Sequence, residues 1–172
     1  MTKNNTQPLL EVRNLKTFFF TEDGVVKAVD GVDFEVHPGE VLGLVGESGC
    51  GKSVTSFSIL RLVDDPGETV DGEIYFEGRN ILELSDAEMV DMRGNRISMI
   101  FQEPLNSLNP LHNIEKQINE VLHLHKNMTP SQARARVEEL LDLVGMPEAK
   151  SRLHSFPHEF SGGQQQRIMI AM

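Results

Sequence analysis

Residues 41–53 read VLGLVGESGCGKS, and this stretch limits the choice of fold more than any other part of the chain. Val41, Leu42, Gly43, Leu44 and Val45 form a short, nearly continuous apolar run, the pattern of a strand buried on both faces of a parallel sheet. Gly46 to Ser53 then fits G-x-x-x-x-G-K-S/T, a phosphate-binding loop. Gly46, Gly49 and Gly51 permit the backbone angles and close approach that turn successive N–H groups into one concavity. A helix opening near Lys52 adds the positive end of its dipole. Lys52 then reaches the outer phosphates of a nucleoside triphosphate as a point charge, and the Ser53 hydroxyl ligates the accompanying Mg²⁺. The helix-compatible VTSFSILRLV of residues 54–63 completes a strand, loop and helix. A glycine-rich turn without a ligand is the competing reading of the same residues.

Upstream, residues 9–20 (LLEVRNLKTFFF) and 25–36 (VVKAVDGVDFEV) are β-rich runs separated by Glu22-Asp23-Gly24, which predicts a hairpin or neighbouring antiparallel strands. Phe18, Phe19 and Phe20 cannot all face one side of a strand, so one ring is free to stack on a base while the others join the core. Downstream, residues 72–76 with the Gly78 turn predict a further short strand. Ser85 and Glu88 have capping-box spacing for a helix running to about Met92. Residues 97–101 (ISMIF) predict a buried strand ending at Gln102, followed by an irregular segment with two prolines and two asparagines.

From Asn113 to Met146 the period is helical. Ile114, Ile118, Val121 and Leu122 share one face, and Ala133, Val137, Leu140, Leu141 and Val144 share another. Thr129-Pro130 with Gln132 supplies a start signal, and Gly145 before Pro147 a stop. Residues 103–160 therefore read as a small helical subdomain, and the residues after Phe160 open another apolar helix.

The chain has 172 residues, 39% apolar and 24% charged, with a net charge of −10, one cysteine and six scattered histidines. Such a chain builds a real core, opposes non-specific binding to nucleic acid, and offers no zinc-ligand spacing. No apolar stretch approaches the roughly 20 residues of a bilayer span, and the N-terminus lacks a secretion signal, which predicts a cytoplasmic location.

The phosphate loop, a strand ending in Gln102, and FSGGQ at residues 160–164, in this order, resemble the nucleotide-binding domain of ATP-binding-cassette (ABC) transporters. The resemblance covers Leu9 to Met172. VGESGCGKSVT, FQEPLNSLNP and PHEFSGGQQQR look like the branch that imports dipeptides and oligopeptides, with nickel importers as near relatives. The resemblance implies an α/β P-loop NTPase with an antiparallel β subdomain, a parallel-sheet core and an inserted helical subdomain. Residues 9–102 would form the β layer and Walker A core, 103–160 the helical subdomain, and 161–172 the start of the signature helix. It implies ATP and Mg²⁺ held by Phe19 on adenine and by Gly46, Glu47, Ser48, Gly49, Cys50, Gly51, Lys52, Ser53 and Val54. Gln102 would touch Mg²⁺ and the attacking water, with Lys52 the second catalytic group. Ser161, Gly162, Gly163 and Gln164 would close over ATP bound to an opposing ATPase subunit, identical or homologous. The segment after Gln102 would grip transmembrane permease subunits at the cytoplasmic face of the membrane, and these would work with a solute-binding protein. Ser161 and Gln164 also have the spacing of an ordinary capping box, and Gln102 that of a polar strand end.

The sequence departs from the family pattern at several points. Phe160 replaces a leucine of the signature. Val54 stands where many members carry a threonine that approaches the α-phosphate, and Thr55 points elsewhere on the helix. Cys50 lies in the loop at a helix start, where thiols gain reactivity, which predicts an alkylatable thiol protected by nucleotide. The Asp-Glu strand and the histidine that follow the signature helix in the family are not among the 172 residues, so the chain reads as truncated. This predicts an unpaired apolar strand edge, weak stability and no hydrolysis by these residues alone. The competing functional readings are a non-catalytic nucleotide-binding fragment and a soluble ABC ATPase without a membrane partner. A P-loop GTPase or kinase fits least, since neither has a use for FSGGQ.

Overall fold

A computed structural model describes residues 7–101, 108–126 and 128–172. The chain divides into two compact units, Met1–Arg93 and Gly94–Met172.

In the first unit, the β-rich runs form strands β1 (Leu10–Thr21) and β2 (Gly24–Val36), an antiparallel hairpin turning at Glu22-Asp23. Strand β3 (Gly67–Phe76) pairs with the other edge of β1, and the short β4 (Arg79–Asn80) with β3. The sheet order is β2-β1-β3-β4, antiparallel throughout. On β1, Leu15 and Thr17 alternate inward, and the buried Thr17 hydroxyl meets that of Ser58 at 2.7 Å. Ser58 lies on helix α1 (Lys52–Ile59) and also donates to the Val54 carbonyl at 2.8 Å, so a satisfied polar pair seats α1 on the sheet. Helix α2 (Asp86–Met92) starts at the predicted box. The Ser85 N–H donates to Glu88 at 2.9 Å, and Met89 and Met92 are buried.

Neither run expected in a parallel core enters a sheet. Residues 41–45 form no regular element, leaving Val41 95% and Val45 93% exposed, and of residues 97–101 only Ile97 makes an isolated bridge. A strand is held by hydrogen bonds to a neighbour along its edge. Among the described residues no such neighbour flanks either run.

The second unit is helical, as the 3.6-residue period requires. It contains α3 (Ile114–Lys126), α4 (Pro130–Leu143) and α5 (Gly162–Ala171), with short 3₁₀ turns over Pro147–Arg152 and Pro157–Glu159. Ile114, Ile118, Leu122, Ala133, Val137 and Leu141 interlock in its core with Met146, Leu153, Phe160 and Ile168. Full burial of each larger aliphatic side chain stabilises by about 1.5–3 kcal/mol. Gln132 accepts from the Thr129 N–H and hydroxyl at the start of α4. At its end Gly145, with φ +72°, closes a Schellman motif: its N–H donates to Asp142 and that of Met146 to Leu141. Arg167 of α5 donates to the Val144 carbonyl at 2.7 Å, tying the two helices together.

Candidate functional site

The phosphate loop lies against β2. Opposite Thr17 and Phe18 of β1, strand β2 places Val29 and Lys27, so Ala28 is the extra residue of a β-bulge. Gly51 backs onto that bulge: a Cβ there would sit 2.2 Å from the Ala28 carbonyl oxygen, and its φ is +93°. Glycine is thus required twice over at this position. A Cβ on Gly46 would lie 2.5 Å from Cys50 Sγ. Glu47 accepts from the Cys50 N–H at 3.3 Å, which closes the turn.

Lys52 at the first position of α1 folds back over the loop. Its ammonium donates to the carbonyls of Gly46 (2.9 Å) and Glu47 (2.7 Å), with Cys50 Sγ at 3.4 Å. Among the described residues no acceptor is found for the backbone N–H groups of Gly49, Gly51, Lys52 and Ser53, nor a partner for the exposed Ser53 hydroxyl. Orphan donors at a helix start, beside a lysine held only by neutral acceptors, make a site for a polyanion. The residues present therefore fit a nucleotide's phosphates and their metal ion. Thr55 is buried and its hydroxyl donates to the Gly51 carbonyl at 3.0 Å, so it is turned away from the loop surface. Val54 brings no hydroxyl in its place.

Of the three rings, Phe19 lies on the same face of β1 as Leu15 and Thr17, the face that carries α1. It is half-buried beside Gly67 and Val63: a Cβ on Gly67 would come within 2.6 Å of each side chain. Phe18 points the other way, with the Lys27 ammonium 5.2 Å from its centre, and Phe20 is exposed.

In the second unit, Ser161 caps α5. Its N–H donates to Gln164 Oε1 at 2.9 Å and its hydroxyl accepts from the Gln164 N–H at 3.4 Å, the capping box that the spacing allows. Phe160 is buried under the Arg152 guanidinium, 4.4 Å from the ring centre. Gly162 and Gly163 are exposed and have no unusual φ, and a Cβ on either would meet nothing within 4 Å. Nothing among the described residues requires glycine there. The contrast with Gly51 separates a glycine demanded by the fold from glycines that leave room for something outside it.

Motif reading passes over Gln165. It is buried, and its carboxamide donates to the carbonyls of Pro157 (2.7 Å) and Phe160 (3.0 Å). The one available signal is a glutamine in phase with the buried Ile168 and Ala171. Gln102 and the segment through Ser107 lie outside the described residues. Among the described residues no group of three or more His, Cys, Asp or Glu is placed to hold a metal, and no helix is long and apolar enough to cross a membrane.

Residues 29–172 match the family model described as "ABC transporter". The chain belongs to the ABC transporter family. This ABC chain is 51% identical, over 95% of its length, to the probable peptide ABC transporter ATP-binding protein y4tR of Sinorhizobium fredii. It is 53% identical, over its whole length, to the peptidoglycan transport ATP-binding protein YejF of Agrobacterium fabrum. It spans 49% of the first relative and 32% of the second. Among solved structures it resembles the dimeric post-hydrolysis state of the ATP-binding cassette MJ0796, bound to ADP and Pi, with a TM-score of 0.81 at 27% identity. That match covers 94% of this ABC chain and 67% of the other. The fold class is that of the ABC cassettes, an α/β P-loop NTPase, with the antiparallel layer and the helical unit both formed.

Proposed function

We propose that the chain binds Mg-ATP through residues 46–54 and forms part of an ATPase that powers peptide import across the cytoplasmic membrane. The observation that carries this is the loop: N–H groups at a helix start that have no partner among the described residues, with Lys52 resting on two neutral carbonyls that a phosphate displaces. Phosphate oxygens take those N–H groups and Lys52 balances the outer phosphates; Ser53 and Gln102 would hold Mg²⁺, which would supply positive charge to offset what develops at the γ-phosphate. Gln102 also orients the attacking water. Phe19 stacks on adenine, since its face of β1 is the one carrying the loop's helix.

Ser161, Gly162, Gly163 and Gln164 contact the γ-phosphate of ATP held by an opposing ATPase subunit. Their open surroundings support a ligand from outside the chain. The domain plan that goes with this reading is 9–102 for the nucleotide-binding part, 103–160 for the helical subdomain, and 161–172 for the signature helix. The full protein sits peripherally at the cytoplasmic face, bound to permease subunits that receive solute from a binding protein. Peptide is the cargo class favoured by the y4tR relative and by the sequence around Gln102 and the signature.

The test is Mg-ATP affinity of the full-length protein with Lys52→Ala. Loss of a charge-assisted contact predicts about 10- to 100-fold weaker binding. Unchanged affinity overturns the assignment.

A further inference from the structure

We propose that Gln165 is a positioning residue for the Ser161–Gly163 anion site, an inference that rests on the signature reading above. The peptide bond joining Phe160 to Ser161 is held at both ends by side chains of α5. Its carbonyl accepts from Gln165 Nε2 at 3.0 Å, and its N–H donates to Gln164 Oε1 at 2.9 Å. Rotation of that peptide plane swings the Ser161 hydroxyl and redirects the next N–H groups, those of Gly162 and Gly163. Gln165 thus sets the direction in which the site's donors point, without touching the ligand.

The second hydrogen of the same carboxamide goes to the Pro157 carbonyl at 2.7 Å, so the turn before the site is fastened to the helix after it. Arg152 completes the clasp. It donates to the Glu159 carbonyl at 2.7 Å and lies over the Phe160 ring. Gln165 is only 5% exposed, and its Oε1 is buried without a partner among the described residues. A core position that burdens the fold with an unsatisfied oxygen is poorly explained by packing, because leucine fills similar volume without that burden. Both N–H donors are used, and they are what leucine lacks.

The experiment uses the full-length protein assembled with its partner subunits and compares Gln165→Leu, Gln165→Glu and Gln165→Lys. Leucine removes both donors, and glutamate keeps the shape but presents only acceptors. Lysine restores donors to the same carbonyls. Leucine and glutamate are expected to lower the kcat of ATP hydrolysis about tenfold or more, with KM and the affinity of the Gly46–Ser53 loop for Mg-ATP changed less than about twofold. Lysine is expected to recover most of the loss. Gly163→Ala is measured alongside. Wild-type turnover in the leucine and glutamate variants, with Gly163→Ala inactive, overturns the role of Gln165 and leaves the signature reading standing. Wild-type turnover in Gly163→Ala overturns the signature reading itself. A loss that lysine does not recover, or that comes with a matching fall in Mg-ATP affinity and melting temperature, shows a merely structural residue and also overturns the proposal.

Discussion

Gly163→Ala separates fold from function because the open space at this position and the proposed signature role give the two effects opposite signs. The residue sits in the first turn of α5, and among the described residues nothing beyond its chain neighbours and its own helix backbone lies within 4 Å of where a Cβ would stand. Replacing a helical glycine by alanine removes backbone freedom from the unfolded chain, worth about 0.5–1 kcal/mol at an unstrained site. For a unit the size of Gly94–Met172, this raises the melting temperature by about 2–8 °C. The same methyl group stands in the path of whatever approaches the Ser161–Gly163 donors, so ATP hydrolysis by the assembled protein should fall steeply. Gly51→Ala is the control with the reverse logic. Its φ of +93° and the 2.2 Å approach to the Ala28 oxygen make alanine cost about 2 kcal/mol or more, with nucleotide binding lost as well. Thermal unfolding by circular dichroism and a phosphate-release assay on both variants give the four numbers needed. A Gly163→Ala protein that melts below the wild type refutes the inference from open space around the helix start.

Two further outcomes follow from local chemistry. The Glu88 carboxylate accepts from the Ser85 hydroxyl and N–H and pairs with Arg79, which holds it below the usual carboxylate range. With the folded pKa depressed, its stabilisation is complete above the unfolded value and is lost as pH falls through the folded one. The stability gap between wild type and Glu88→Gln in urea unfolding should therefore shrink below about pH 4, and a gap constant with pH overturns this. Cys50 is exposed in the phosphate loop with the Lys52 ammonium 3.4 Å from its sulfur. Iodoacetamide should label it, and Mg-ATP should slow labelling about tenfold or more. Equal rates with and without nucleotide contradict the placement of phosphate in that loop.

Local signals carried much of this structure in the sequence. The hairpin, the Ser85 and Thr129 boxes, the Gly145 stop and the apolar faces of α3 and α4 depend on residues within a few positions of one another, and all formed as their spacing indicates. The turn over residues 46–53 rests on equally local bonds, with the Cys50 N–H on the Glu47 carbonyl and Lys52 on those of Gly46 and Glu47. The strand at 41–45 was misjudged for the opposite reason. Its apolar pattern reports a preference for burial, whereas forming a ladder takes a neighbour from elsewhere in the chain.

Only the tertiary structure decided matters that join distant residues. Ala28 is an unremarked alanine in sequence; in space its bulge is what Gly51 rests on, and that makes one loop glycine irreplaceable. Phe19 shares the face of β1 that receives α1, whereas Phe18 lies beside the Lys27 ammonium and Phe20 is exposed, a difference that three consecutive rings do not reveal in sequence. Gln165 looked like one of three glutamines in a row, until burial and two carbonyls marked it as the residue that aims the helix start. Sequence alone determined which chemical groups this protein brings and where short-range hydrogen bonds begin and end its helices. The direction in which those groups point came from packing, because orientation is set by contacts between residues far apart in the chain.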